Sequence, residues 1–386
     1  MISRIFCLCG LLFFIFLIPE NGFAEIRHAC FIVNPTSNNG QGEKVWDSIK
    51  EALDHYQYYT ASGSMDQAAS PLGPTYEVSF TEHPGHATEL ALRAYRNWQQ
   101  GRHAHGDQLL IVAVGGDGTV HEVVQGLENQ QPQVVIGIIP AGTGNDIART
   151  LRLGNPMHAL RSLVYGRPAP FGAYKIEGCQ RGTCEKKTVL AVDEFDLGVT
   201  AQATKKKNEH DSGERPSRLL RCSPRRMVYT MSALSSAMRW HAPTVDCSID
   251  GGSSFNIPLN LLAAGTGPTI GGGVRLFNGM RPNSDQGQML YNQRRAHPIS
   301  TLFQMTMQRL FNRSALQQTW FTQMDIGHGQ APQNIQVDGD ILLQTPAQVT
   351  WVPEVFQFMR PPEPGDFGYE AMRREEELTL LEFFKR

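Results

Sequence analysis

The sequence predicts an α/β protein in two parts: an N-terminal three-layer α/β nucleotide-binding domain and a C-terminal β-sandwich domain. Three observations predict it. Residues 111–114 and 134–139 are apolar, largely β-branched runs of the kind that form buried parallel strands. Each run stops in a glycine-rich turn and passes into a helix-like stretch, at the roughly 25-residue spacing of βαβ units. The second half instead carries short β-biased segments at 188–192, 244–249, 259–263, 289–290 and 334–337, separated by Gly, Pro or Asp.

At 386 residues the chain has room for two cores, and a net charge of −2 gives it no global pull toward nucleic acid, which is not an expected partner. Residues 1–4 are short and positive, 5–18 are an uninterrupted apolar run, and Gly22 and Ala24 place small residues before a cleavage point. That layout predicts a secretory signal peptide over 1–24 and an exported protein. The alternative is a retained anchor at the inner membrane, although the run is short of the ~20 residues that span a bilayer. After cleavage Cys30, Cys179, Cys184, Cys222 and Cys247 remain, an odd number that argues against a full disulfide framework. Cys179 and Cys184 either close a small hairpin or stay as thiols.

Along the first domain, residues 25–165, a strand at 29–33 leads into the polar loop Asn34-Pro35-Thr36-Ser37-Asn38 and a helix near 43–53. Residues 60–75 are small and polar and read as a surface insertion. A strand at 76–80 then reaches Thr81 and the turn Pro84-Gly85-His86-Ala87. The strand at 111–114 ends in Gly115-Gly116-Asp117-Gly118-Thr119, and that at 134–139 in Gly142-Thr143-Gly144-Asn145-Asp146. Glycines let backbone amides close on a phosphate, and a helix start adds a positive dipole end. Two such turns after consecutive parallel strands share one carboxyl edge, where open α/β sheets bind ligands. Neither is a Walker loop or a Gly-x-Gly-x-x-Gly fingerprint. Asp117 repels the anion these turns attract, so its use lies in orienting a hydroxyl, taking a proton or holding Mg²⁺.

These motifs, in this order, resemble the diacylglycerol kinase catalytic family, which includes bacterial lipid kinases, sphingosine kinases and ceramide kinases. The resemblance runs from about Ala29 to Phe356 and is dense to residue 165. It implies that Asn34, Pro35, Thr36, Ser37, Asn38, Thr81, Gly115, Gly116, Asp117, Gly118, Thr119, Glu122, Gly142, Thr143, Gly144, Asn145 and Asp146 bind ATP, with Mg²⁺. It also implies a β-sandwich over 166–356 that carries a lipid alcohol at a membrane surface, its end free to return to the first domain. A homodimer is compatible with it.

Two departures follow from the same resemblance. The family's Asp-Gly before a strand reads Asp285-Gln286-Gly287-Gln288, so an accessory Mg²⁺ site at Asn283, Gln286 and Gln288 loses its charge. Asp285 is one residue off, and side chains alternate along a strand. The family's usual glutamate proton acceptor is replaced by Asp340, in Gln336-Val337-Asp338-Gly339-Asp340. Asp340 and Asp117 are therefore the candidate catalytic residues. The expected activity is ATP-dependent phosphorylation of diacylglycerol or a related lipid alcohol. The alternatives are a sphingosine- or ceramide-type kinase, suggested by His121-Glu122-Val123-Val124, and a weak or inactive lipid- or nucleotide-binding relative, suggested by Gln286 and Asp340.

The remaining segments carry less. Lys205, Lys206, Lys207, Arg215, Arg218, Arg221, Arg225 and Arg226 form a basic stretch, read as a solvated loop or a contact for anionic headgroups. Gly271-Gly272-Gly273 reads as a loop. Residues 361–368 read as a linker and 371–386 as an amphipathic helix.

Overall fold

The computed structural model describes residues 26–61, 75–101, 107–128, 133–183, 185–211, 225–292, 297–311, 316–366 and 368–374. The expected signal segment, nearly all of the insertion at 60–75, residues 212–224 of the basic stretch, Cys184 and residues 375–386 lie outside them. Among the described residues no helix is long and apolar enough to cross a membrane.

The first half alternates as its glycine turns require: β1 Ile26–Val33, α1 Ser37–Ala61, β2 Thr75–Phe80, α2 His86–Gln100, β3 Gln108–Gly115, α3 Asp117–Leu127, β4 Val134–Pro140, α4 Asp146–Thr150 and α5 Pro156–Tyr165. The strands pair in parallel in the order β2-β1-β3-β4. Both β3 and β4 are buried almost throughout, which explains their continuous apolar runs. Right-handed crossovers place α1 on one face of the sheet and α2 and α3 on the other. α2 shows the period expected, burying Ala87, Leu90, Ala91, Tyr95 and Trp98.

The second half is strand-rich: β5 Arg167–Gln180, β6 Lys186–Ala191, β7 Glu194–Gly198, α6 Val199–Asp211, α7 Arg225–Ala237, β8 Thr244–Ile249, β9 Phe255–Pro258, β10 Leu261–Gly265, β11 Thr269–Ile270, β12 Val274–Arg275, β13 Gly287–Tyr291, α8 Pro298–Phe311, β14 Gln317–Phe321, β15 Gln323–Ile326, β16 Asn334–Val337 and β17 Asp340–Arg360. The two longest strands, β5 and β17, were not legible in the sequence. Pro168, Pro170, Pro346 and Pro353 interrupt them, and proline reads as a strand breaker. Two of those prolines are accommodated by irregularities, because the β17–β5 register shifts between Gln344 and Ala347 and again between Val352 and Phe356.

β17 joins the halves. Its Gln357 and Phe358 pair in parallel with Val135 and Ile136 of β4, while its earlier residues pair with β15 and β16. Two apolar cores meet along this spine. Phe171, Ala173, Phe356 and Phe358 pack with the parallel sheet, whereas Tyr174, Ile176, Val349 and Trp351 pack with the second half. Past β17, Arg360 and Arg167 both pair with Asp366, which ties down the segment read as a linker. Residues 369–374 are helical, with Met372 buried.

Candidate active site

The register levels the ends of the four parallel strands. Val33 lies beside both Phe80 and Val114, and Gly115 beside Pro140. The loops after β1, β2, β3 and β4 therefore emerge at one edge, and hydrogen bonds join them. Thr81 N–H donates to Val33 O (2.9 Å) and Asn34 N–H to Val114 O (2.9 Å). Asn34 Nδ2 donates to Thr119 Oγ1 (3.1 Å), Ser37 Oγ to Ala141 O (3.2 Å) and Thr143 Oγ1 to Asn38 Oδ1 (3.1 Å). Thr36 Oγ1 donates to Asn34 Oδ1 at 3.0 Å. Asn38, Asn39 and Gly40 are all left-handed, a conformation that Asn and Gly tolerate best. They fold the loop back toward Thr143.

The two glycine turns touch. Ala141 N–H donates to Gly115 O at 2.7 Å, and a Cβ on Gly142 would lie 2.3 Å from Gly116 Cα. A Cβ on Gly144 would lie 2.7 Å from Asp117 Oδ2. Glycine is thus required here for close backbone approach. Gly142→Ala is expected to push the turns apart, lowering stability by about 1–3 kcal/mol. Thermal unfolding measures this, and an unchanged midpoint would show that the turns separate at no cost.

Asn145 does not cap α4 with its side chain. Its residue is left-handed, and its amide group instead bridges Gly142, accepting from N–H and donating to O at 2.9 Å each. The helix start is served by Asp117, whose Oδ1 accepts from Ile147 N–H at 3.2 Å. Asp146 reaches across to the second half, accepting from Gly272 N–H and from Gly273 N–H (2.7 Å), while Arg149 Nη1 pairs with it at 3.0 Å. Gly271, Gly272 and Gly273 all have positive φ, the conformation that lets consecutive amides converge on one carboxylate. The triple glycine is a clamp between the halves.

Carboxylates gather at this seam. Asp117, Asp146 and Asp193 bring ligand oxygens within 4.8 Å of one another. Burial, then the charge of Asp146, pushes Asp117 up to about 6. Burial, then the charges of Asp117, Glu194, Asp146 and Asp338, holds Asp193 well above the ordinary carboxylate range. Buried carboxylates that oppose one another this way suit a hard divalent cation, which takes oxygen ligands and removes the repulsion. These three residues are the set that fits Mg²⁺.

The turn bearing Asp340 is fixed from below. Asp338 and Gly339, at φ 47° and 97°, make the two-residue hairpin link between β16 and β17. Asp338 is buried. Its Oδ2 accepts from Val192 N–H (2.9 Å) and from His121 Nδ1 (2.7 Å), and its Oδ1 from Asp193 N–H (2.9 Å) and Glu194 N–H (3.0 Å). A carboxylate only accepts, so His121 carries the Nδ1 proton. Burial opposes the imidazolium, but the bond to Asp338 and its charge, then Asp340 and Glu122, raise the His121 pKa. Asp340 itself is exposed, and Asn208 Nδ2 of α6 holds its Oδ1 at 3.0 Å.

Not every candidate faces the shared edge. Glu122 points to the β2–α2 turn, where its two oxygens accept from Gly85 N–H (2.9 Å) and Ala87 N–H (3.1 Å). It secures that turn. Asn283, Asp285 and Gln286 are exposed in the bend before β13 rather than alternating on the strand. Gln288 is buried, with Nε2 donating to Asn278 O and its backbone oxygen accepting from the Tyr174 hydroxyl. The roles of Asp193, His121, Asp338 and Asn208 were not read from the sequence, although His121 and Asp338 lie in motifs quoted from it.

A parallel sheet edge lined by touching glycine turns, with an acidic seam to a strand-rich second half, defines the class: a diacylglycerol kinase-like α/β architecture. Residues 28–176 match the diacylglycerol kinase catalytic domain. The chain is 26% identical over 257 residues to a diacylglycerol kinase of Mycobacterium tuberculosis H37Rv, covering 65% of this chain and 76% of that one. It is 38% identical over 156 residues to a diacylglycerol kinase of Bacillus subtilis strain 168, covering 40% and 43% respectively. Across such relatives the aligned stretch spans between 30% and 76% of their length. A crystal structure of a candidate diacylglycerol kinase from Bacillus anthracis str. Sterne superposes with a TM-score of 0.63 at 18% identity, over 88% of this chain and 99% of that one. That likeness concerns the fold.

Proposed function

We propose that the protein is an ATP-dependent lipid kinase that phosphorylates diacylglycerol or a related lipid alcohol. The observation that carries the reading is the level edge of the parallel sheet, where two glycine turns touch beside Asp117 and the acidic seam. Amides and hydroxyls of residues 34–38, Thr81, 115–119 and 142–144 bind and orient the nucleotide. Asp117, Asp146 and Asp193 would hold Mg²⁺, which when bound neutralises phosphate charge. The acceptor hydroxyl oxygen bonds to the γ-phosphorus as the bond to the β–γ bridging oxygen breaks, and ADP leaves. Asp340 takes the hydroxyl proton, steadied by Asn208 and by the Asp338 turn. Positioning and charge neutralisation supply most of the rate in such transfers, so one base is enough.

The test is transfer of label from γ-labelled ATP to a panel of diacylglycerol, sphingosine and ceramide by the full chain. Labelled phosphatidate is the expected product. Nucleotide binding without turnover on any lipid would refute it. Asp340→Ala is expected to lower kcat about 10²–10⁴-fold with little change in KM, as loss of a proton acceptor does. Steady-state kinetics decides, and undiminished kcat would remove Asp340 from its role.

A further inference from the structure

Two helices of the second half face the wrong way for contact with water. On α8, Thr301 and Gln308 are buried and Met305 packs on the second core, all along one side. At about 100° per residue, the opposite side carries Ile299, Phe303 and Leu310. Phe303 and Leu310 are 63% and 64% exposed. α7 repeats the inversion. Ser232, Ala233, Ser236 and Ala237 are buried, whereas Leu234 and, just past the helix, Met238 are exposed. The helices pack on each other. Large apolar side chains turned outward on neighbouring elements mark an interaction surface rather than scattered exposure.

Charge selects the occupant. The chain holds 37 acidic and 35 basic residues, yet the sequences of α7 and α8 contain no acid. Beside α7, Lys206 Nζ donates to Ser235 Oγ at 3.3 Å and lies near Arg239. A second copy packed through a two-fold axis would set these cations against themselves. An anionic bilayer complements them and accepts the apolar side chains.

We propose that the α7–α8 face docks on an anionic lipid bilayer, with Phe303, Leu310 and Met238 entering the headgroup boundary and Lys206 and Arg239 meeting lipid phosphates. The proposal rests on the lipid kinase reading only for its purpose, which is to bring the protein to the surface where its acceptor resides.

The experiment sediments the full chain and its Phe303→Glu/Leu310→Glu double variant with phosphatidylcholine vesicles, with and without phosphatidylglycerol. Wild type is expected to favour the anionic vesicles, less so at high salt. The variant should lose more than about tenfold in partition while keeping its unfolding midpoint and its turnover of water-soluble dioctanoylglycerol. Should glutamate disturb the fold, Phe303→Ser/Leu310→Ser replaces it. Unchanged partition overturns the proposal, as does a dimer in light scattering that the variant dissolves without affecting vesicle binding. If partition falls but neither protein phosphorylates any lipid, docking stands and the kinase reading fails.

Discussion

Asp117→Asn is expected to yield a protein that is inactive yet more stable than wild type when no ligand is bound. The Asp117 carboxyl sits at about 6 against an ordinary 3.8, because it is buried and faces Asp146. The folded state therefore holds this proton more tightly than the unfolded chain. The contribution is fully present below pH ~3.8 and is lost as pH rises through about 6. At pH 7 the ionised group costs about 3 kcal/mol, from roughly two units at 1.36 kcal/mol each. An asparagine still accepts from Ile147 N–H and carries no charge, so most of that cost disappears. The unfolding midpoint should rise at pH 7 and converge with wild type near pH 4. Phosphoryl transfer should fall by about 10³-fold or more, because preorganised charge at the reacting group is lost. A variant that is less stable at pH 7, or fully active, would contradict this account of Asp117.

Asp338→Ala is expected to be the most damaging single change away from the sheet edge. It removes the acceptor for three consecutive amides and for His121, leaving all four donors buried. Each buried donor left unmade costs about 1–3 kcal/mol, although neighbours in one network do not add fully. A loss of about 3–5 kcal/mol is expected, measurable by denaturant unfolding. Asp338→Asn, which keeps two acceptor lone pairs but no charge, should recover part of it. Because Asp340 follows through Gly339, kcat should fall in both variants more than KM rises. A stability loss below ~1 kcal/mol for Asp338→Ala would show that the turn is held by other means.

The sheet edge was legible because its signals are local. Continuous apolar runs ending at Gly115-Gly116 and Pro140-Ala141-Gly142 announce buried parallel strands and tight glycine turns without any tertiary knowledge. The seam was not. His121 and Asp338 are 217 positions apart, and nothing in either neighbourhood indicates the partner. The triple glycine reads as a plain loop until Asp146 is found accepting from it. Glu122 sits among the expected nucleotide ligands in sequence, but helical periodicity turns it toward Gly85 and Ala87 instead. β5 and β17 were hidden by their prolines, of which Pro346 and Pro353 fall at register shifts rather than at strand ends.

Calorimetry of the full chain with a non-hydrolysable ATP analogue and Mg²⁺ decides whether the two glycine turns hold a triphosphate. Wild type is predicted to bind, with affinity reduced at least about tenfold by Gly142→Ala and dependent on the divalent ion through Asp117 and Asp193. Absence of heat in wild type, or equal affinity in Gly142→Ala, would contradict a triphosphate held between the two turns.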